Sequence, residues 1–217
     1  MNPLSSWIHL SLRHLTKKSH GQFLAERGNI QKTQSQILKR LLQQSSTTAW
    51  GRELGVSADW NAHIVAQKLK PTTWQDWEPW VEKERQGQTD SLALNVQRFQ
   101  PTSGSTSAVK WIPYSKLFLA EMDEVITAWF GDLYRQFPTQ TAGTHYWSLS
   151  WIPTEMRSQT AGDLNDDMKM LSWGKRLLAY LTQAVPQDVA LAETSDDSLF
   201  ATIAHLCADE SLGFISV

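Results

Sequence analysis

The chain has 217 residues with 41 % apolar composition, enough for one large domain or two small ones with a sizeable core. Its formal net charge of −2 gives no global basic field that would draw it to nucleic acid or an anionic membrane. One cysteine, Cys207, excludes an intrachain disulfide framework.

The N-terminus, MNPLSSWIHLSLRHLTKK, places its positive charges after the apolar part, which is wrong for a signal peptide. No stretch approaches the roughly 18 apolar residues that span a bilayer. A cytoplasmic protein in a reducing compartment is the expectation. Arg13, Lys17, Lys18, Arg27, Lys32, Lys39 and Arg40 stand against only Glu26 in this region. They read as a solvated helical face or as a docking surface for an acidic partner.

Residues 1–88 read as a helical region. TQSQILKRLLQQ puts Ile37, Leu38, Leu41 and Leu42 on one helical face. A second helix is expected to start at Asp59, as its cap, and to stop before Pro71. A third spans Trp74, Trp77 and Trp80, three of 11 tryptophans, whose row is expected to pack a helix against its neighbours. Thr73 and Asp76 form a capping pair there. Pro79 fits a first turn and Gly87 a stop.

Residues 89–217 read as an α/β region. Leu92, Leu94 and Val96 alternate with polar residues and predict a strand, and Trp111, Ile112 and Tyr114 predict another. SKLFLAEMDEVITAWFGDLYRQF predicts a helix capped by Ser115, with Phe118, Met122, Val125, Ile126, Trp129 and Leu133 as its apolar stripe. THYWSLSWI reads as a strand, followed by a loop at 162–167. Helices around WGKRLLAYLTQAV and DDSLFATIAHLCADE come next, then a strand in LGFISV. The fold expected is α/β: N-terminal helices, then a mixed sheet with flanking helices. The chain stops inside a strand pattern, and truncation is the expectation there. Cys207, in an apolar run, is expected in the core. His145 and His205 read as packing or surface histidines. Asp163, Asp166 and Asp167 read as an acidic turn or a chelating cluster, so no metal ligand is assigned.

The sharpest local feature joins the two strands of the 92–114 segment. RFQPTSGSTSAVKWIPY carries five hydroxyl side chains and one glycine in TSGSTS. Gly104 can take positive φ and lets backbone N–H groups converge. Thr102, Ser103, Ser105, Thr106 and Ser107 offer small donors, and Lys110 a point charge. Polyphosphate binding is one reading of such a loop and a plain Ser/Thr-rich turn the other. It is not the Walker form, which has a second glycine and opens a helix.

TSGSTSAVK resembles the Thr-Ser-Gly-Ser/Thr-Thr-Gly-x-Pro-Lys nucleotide loop of the adenylate-forming superfamily. The wider context, from roughly residue 34 onward, resembles the acyl acid–amido synthetases of the auxin-responsive Gretchen Hagen family. Pro71, Trp74, Asp76, Pro79 and Gly87 fit that family's segment before the loop, and Lys110 with Pro113 its closing Lys-x-x-Pro. Ser107 departs from the second glycine of the loop and Val109 from its proline.

The resemblance implies a truncated N-terminal part of an adenylate-forming enzyme. That enzyme would use ATP and Mg²⁺ to activate a small-molecule carboxylic acid and pass it to an amine or amino acid. Thr102 to Ser107 and Lys110 would bind the nucleotide, with Lys110 as the catalytic cation. A non-catalytic, truncated relative serving as a binding or regulatory protein is the alternative. The 217-residue chain alone is expected to be inactive.

Overall fold

A computed structural model of the chain describes residues 3–102, 110–138, 142–147, 151, 154–157 and 173–216. The architecture is α/β. Helices α1 (Pro3–Glu26), α2 (Ile30–Ser45), α3 (Ala49–Glu53), α4 (Ala62–Lys68) and α5 (Trp74–Arg85) come first. Strands β1 (Val96–Pro101) and β2 (Trp111–Ser115) follow, then α6 (Lys116–Gln136), β3 (Thr144–Trp147) and α7 (Thr154–Arg157). Helices α8 (Trp173–Thr182) and α9 (Ser195–Ala208) and strand β4 (Leu212–Ser216) complete the order. Packing, as distinct from element order, gives two compact units: Met1–Phe23 with Ala120–Val217, and Leu24–Leu119.

In the first unit β3 and β4 pair in parallel, with His145 opposite Phe214 and Trp147 opposite Ser216. A parallel pair needs cover on both faces, and alternation along β3 supplies it. Trp147 packs with Phe130, Tyr134 and Ala179, joined by Leu12 and Phe214. Tyr146, on the opposite face, packs with Val185 and Val189. The turn before β3 is tied to α1: Ser5 Oγ donates to the Gly143 carbonyl at 2.7 Å, and His9 Nε2 reaches the same oxygen at 3.1 Å. A carbonyl only accepts, so Nε2 carries the proton and Nδ1 accepts from the Tyr134 hydroxyl at 2.9 Å. Burial pushes the Tyr134 phenol above its ordinary value.

The buried face of α6 is not the expected stripe. Val125 and Trp129 are exposed, whereas Thr127, Phe130, Gly131 and Tyr134 are buried. Small and polar residues sit on the inner face because α1 approaches closely. A Cβ at Gly131 would lie 2.5 Å from His20 Cβ and 2.7 Å from the Thr16 carbonyl oxygen. Hydrophobicity alone cannot register such a contact. Ser115 caps α6 as expected, accepting the Phe118 N–H at 3.1 Å.

Cys207 is exposed, not in the core, because α9 turns it away from the Ala201 and Leu206 side that packs with Tyr146. The basic residues Arg13, Lys17, Lys18, Arg27, Lys32, Lys39 and Arg40 are all exposed, which a solvated face and a docking surface both require.

In the second unit the strand expected from Leu92 begins only at Val96. The buried Glu84 carboxylate accepts the N–H groups of Leu92, at 2.8 Å, and Ala93, at 3.3 Å. Those donors are therefore not offered to a ladder. Asp90 (φ 60°) and Asn95 (φ 55°), both left-handed, bracket the irregular segment. Asn61, not Asp59, caps α4, accepting the Ile64 N–H at 3.0 Å. Helix α5 runs through Pro79 rather than beginning near it. Pro79 lies beyond the first turn, with no N–H to give the Gln75 carbonyl. The Asp76 carboxylate accepts both the backbone N–H of Thr73, at 2.6 Å, and its hydroxyl, at 2.9 Å, closing the helix start. These bonds, the backbone one first, hold the Asp76 carboxyl below its ordinary value. Trp77 packs on Trp50, ring centroids 5.0 Å apart. Gly87, at φ 91°, follows the helix end.

Candidate functional site

Strands β1 and β2 form an antiparallel hairpin, with Arg98 opposite Tyr114 and Pro101 opposite Trp111. The ladder runs one step further, where the Thr102 N–H donates to the Lys110 carbonyl at 2.9 Å. Thr102 and Lys110 thus face each other at the two ends of the hydroxyl-rich segment. Ser103, Gly104, Ser105, Thr106 and Ser107, with Ala108 and Val109, lie outside the described residues.

Helix α5 packs beside β2. Lys110 Nζ lies over the Trp74 ring, 5.9 Å from its centroid, and the Arg85 guanidinium lies over Trp111 at 4.6 Å. About three helical turns separate Trp74 from Arg85, so both project from the same face of α5 as the buried Val81. The other two tryptophans of the row turn away from that face. Trp77 goes to Trp50, and Trp80 meets Lys83 of its own helix at 4.0 Å. Across the hairpin the Arg98 guanidinium covers Tyr114 at 5.1 Å, and Arg98 Nε is buried with no hydrogen-bond partner among the described residues. The loop end of the hairpin therefore carries the Lys110 ammonium beside the Trp74 ring, a charge suited to hold a polyanion, while Arg98 and Tyr114 sit toward the open end of the ladder.

Arg85, Arg98 and Glu84 were not among the residues expected to build this site. The spacing of Arg85 from Trp74 was legible as a shared helix face. Nothing in the sequence marked Glu84 as the acceptor that shapes the entry to β1.

Elsewhere the residues read as packing groups hold that role. His145 is buried on β3 and meets Ser216 Oγ at 3.0 Å, and burial, with the nearby His9 ring as a second cause, holds its imidazole down at about 3. His205 is exposed on α9. A cavity of about 20 Å³, wide enough for one water, is lined by His9, Tyr134, His145, Trp147 and Lys175. The Lys175 ammonium is paired with Asp123 at 2.8 Å. Asp163, Asp166 and Asp167 lie outside the described residues. Among the described residues no group of three His, Cys, Asp or Glu side chains could hold a metal ion, and no helix is long and apolar enough to cross a membrane.

A comparison with curated proteins returns no match. The family model described as the GH3 family N-terminal domain matches residues 19–217. That span takes in α5, the hairpin and both strands of the parallel pair, and with most of its length so matched the chain belongs to the GH3 family, that of the auxin-responsive acyl acid–amido synthetases.

Proposed function

We propose that this chain carries the phosphate-gripping part of an ATP-dependent ligase that activates a carboxylic acid as an acyl-adenylate and transfers the acyl group to an amine or amino acid. The observation that carries this reading is the placement of Lys110. Strand pairing to Thr102 fixes its backbone at the end of the TSGSTS segment, and family membership supplies the reaction class.

In the first step a carboxylate oxygen attacks the α-phosphorus of ATP, the bond to the β-phosphate oxygen breaks, and pyrophosphate leaves with the electron pair. In the second, the amine nitrogen attacks the acyl carbon, AMP departs, and the nitrogen loses a proton. The residues at the hairpin end act in the first step. Thr102 and the Ser103–Ser107 hydroxyls and amides orient the β- and γ-phosphates, so that the leaving group lies in line with the attacking oxygen. Lys110 places its positive charge where the departing pyrophosphate gathers negative charge. Mg²⁺, when bound to the nucleotide, neutralises further phosphate charge. The protein works as a soluble catalyst of the cytoplasm on small-molecule substrates.

The test is product analysis across a panel of carboxylic acids with the complete enzyme that carries this part. Acid-dependent release of pyrophosphate together with AMP is expected. ADP and phosphate as the only nucleotide products would overturn adenylation.

A further inference from the structure

Lys110 is constrained at its backbone but carries a flexible four-carbon stem. The pairing of its carbonyl with the Thr102 N–H decides where the side chain starts, not where the ammonium ends. Trp74 supplies that second constraint. Its ring lies under Nζ, 5.9 Å from centroid to nitrogen, and its backbone is fixed at the start of the helix. Trp74 is the first residue of α5, directly behind the Thr73–Asp76 closure, and shares a face with Val81, which is only 3 % exposed. The same face presents Arg85 to the ring of Trp111. Two consecutive residues, Lys110 just before β2 and Trp111 at its first position, thus meet the helix in opposite senses: a hairpin cation over a helix ring, then a helix cation over a strand ring. Sliding α5 along β2 would break both contacts.

We infer that Trp74 is a positioning residue for Lys110, an indole face that holds the ammonium at the hairpin end until a nucleotide polyphosphate takes it over. The inference rests on the phosphate-binding reading given above. A separation near 6 Å is at the outer reach of a cation–π contact. The hold is weak enough to be surrendered to a polyanion, whereas a carboxylate partner would compete with the phosphates for the same charge.

The experiment, on the complete enzyme of which this chain is a part, is a double-mutant cycle on ATP-dependent pyrophosphate release, with binding of magnesium pyrophosphate measured by calorimetry on the same proteins. Trp74→Leu removes the π face. It is expected to raise the KM for ATP and weaken pyrophosphate binding about two- to fivefold, with kcat changed less. Trp74→Phe, which keeps a ring, should recover most of the loss. In a Lys110→Ala background Trp74→Leu should have no further effect, because the group it positions is gone.

Losses that add in the double variant would overturn the inference and leave Trp74 a packing residue of α5. If Lys110→Ala itself leaves both KM and pyrophosphate binding unchanged, the phosphate-grip reading fails instead. Should Trp74→Leu not fold, the tryptophan fluorescence lost in Trp74→Phe decides. That component must change when magnesium pyrophosphate draws Nζ off the ring, and a component that does not respond overturns the proposal.

Discussion

The imidazole of His145 and the ring of Phe214 lie 3.9 Å apart, centroid to centroid, across the parallel strand pair. This contact places an ionisable group inside an aromatic core. The imidazole is held at about 3, well below the ordinary 6.5, so the folded protein keeps it neutral where an unfolded chain would protonate it. Unfolding between these values takes up a proton, and stability therefore rises with pH from about 3 to about 6.5. The slope approaches about 1.4 kcal/mol per pH unit. Urea unfolding of His145→Phe between pH 4 and 7 should show a flatter dependence than the parent. Equal slopes would mean that this imidazole does not set the acid limb.

Two glycines in neighbouring helices should respond oppositely to alanine. Gly131→Ala drives a methyl group against His20 and the Thr16 carbonyl, and backbone must move, at a cost of about 1–3 kcal/mol. Gly21, within α1, has nothing within 4 Å of a would-be Cβ. Gly21→Ala should stabilise by about 0.5–1 kcal/mol through helix propensity. Thermal unfolding of the two variants reads both signs.

Glu84→Ala strands two backbone N–H groups in the segment leading into β1 and should cost about 2–4 kcal/mol. Glu84→Gln retains an acceptor oxygen and should cost about 1 kcal/mol. Amide hydrogen exchange at Leu92 and Ala93 locates the effect: protection there should fall in the alanine variant before it falls in α5. Uniform loss of protection would place the role of Glu84 elsewhere.

The ligase reading separates the two half-reactions. Lys110→Ala removes a charge-assisted contact to a polyanion, about 1.5–3 kcal/mol, or about 10- to 150-fold in adenylation. Ser103→Ala removes a neutral donor and should cost about 1 kcal/mol. Amine attack on a preformed acyl-adenylate should be nearly unchanged in both, since pyrophosphate has already left. Wild-type adenylation by Lys110→Ala at subsaturating ATP would remove Lys110 from the site.

Local chemistry was legible in the sequence wherever the cause of structure lay within a few residues. The Thr73–Asp76 closure, the Ser115 cap and the stop near Gly87 follow from neighbours in the chain, because turns and caps are satisfied by groups a few bonds away. The helical period of α2 was legible too, but of its apolar face Leu42 is buried while Ile37 and Leu41 are exposed. The loop residues Thr102 to Ser107 with Lys110 were nameable from their residue types together with the family resemblance they carry, and phosphate binding by them is the proposal made above. Distant partners decided the rest. SLALNV alternates like a strand, yet Glu84, close in space across a turn, takes the Leu92 and Ala93 donors and delays β1 to Val96. The inner face of α6 is chosen by the approach of α1 at Gly131, so Thr127 goes inside and Trp129 outside. Trp74 belonged to a row of tryptophans until the packing of α5 on β2 set it under Lys110 and left its neighbours to other contacts. Which of several apolar or aromatic faces is buried depends on the surface that arrives against it. That surface is built by residues far away in the chain, and no local period encodes it.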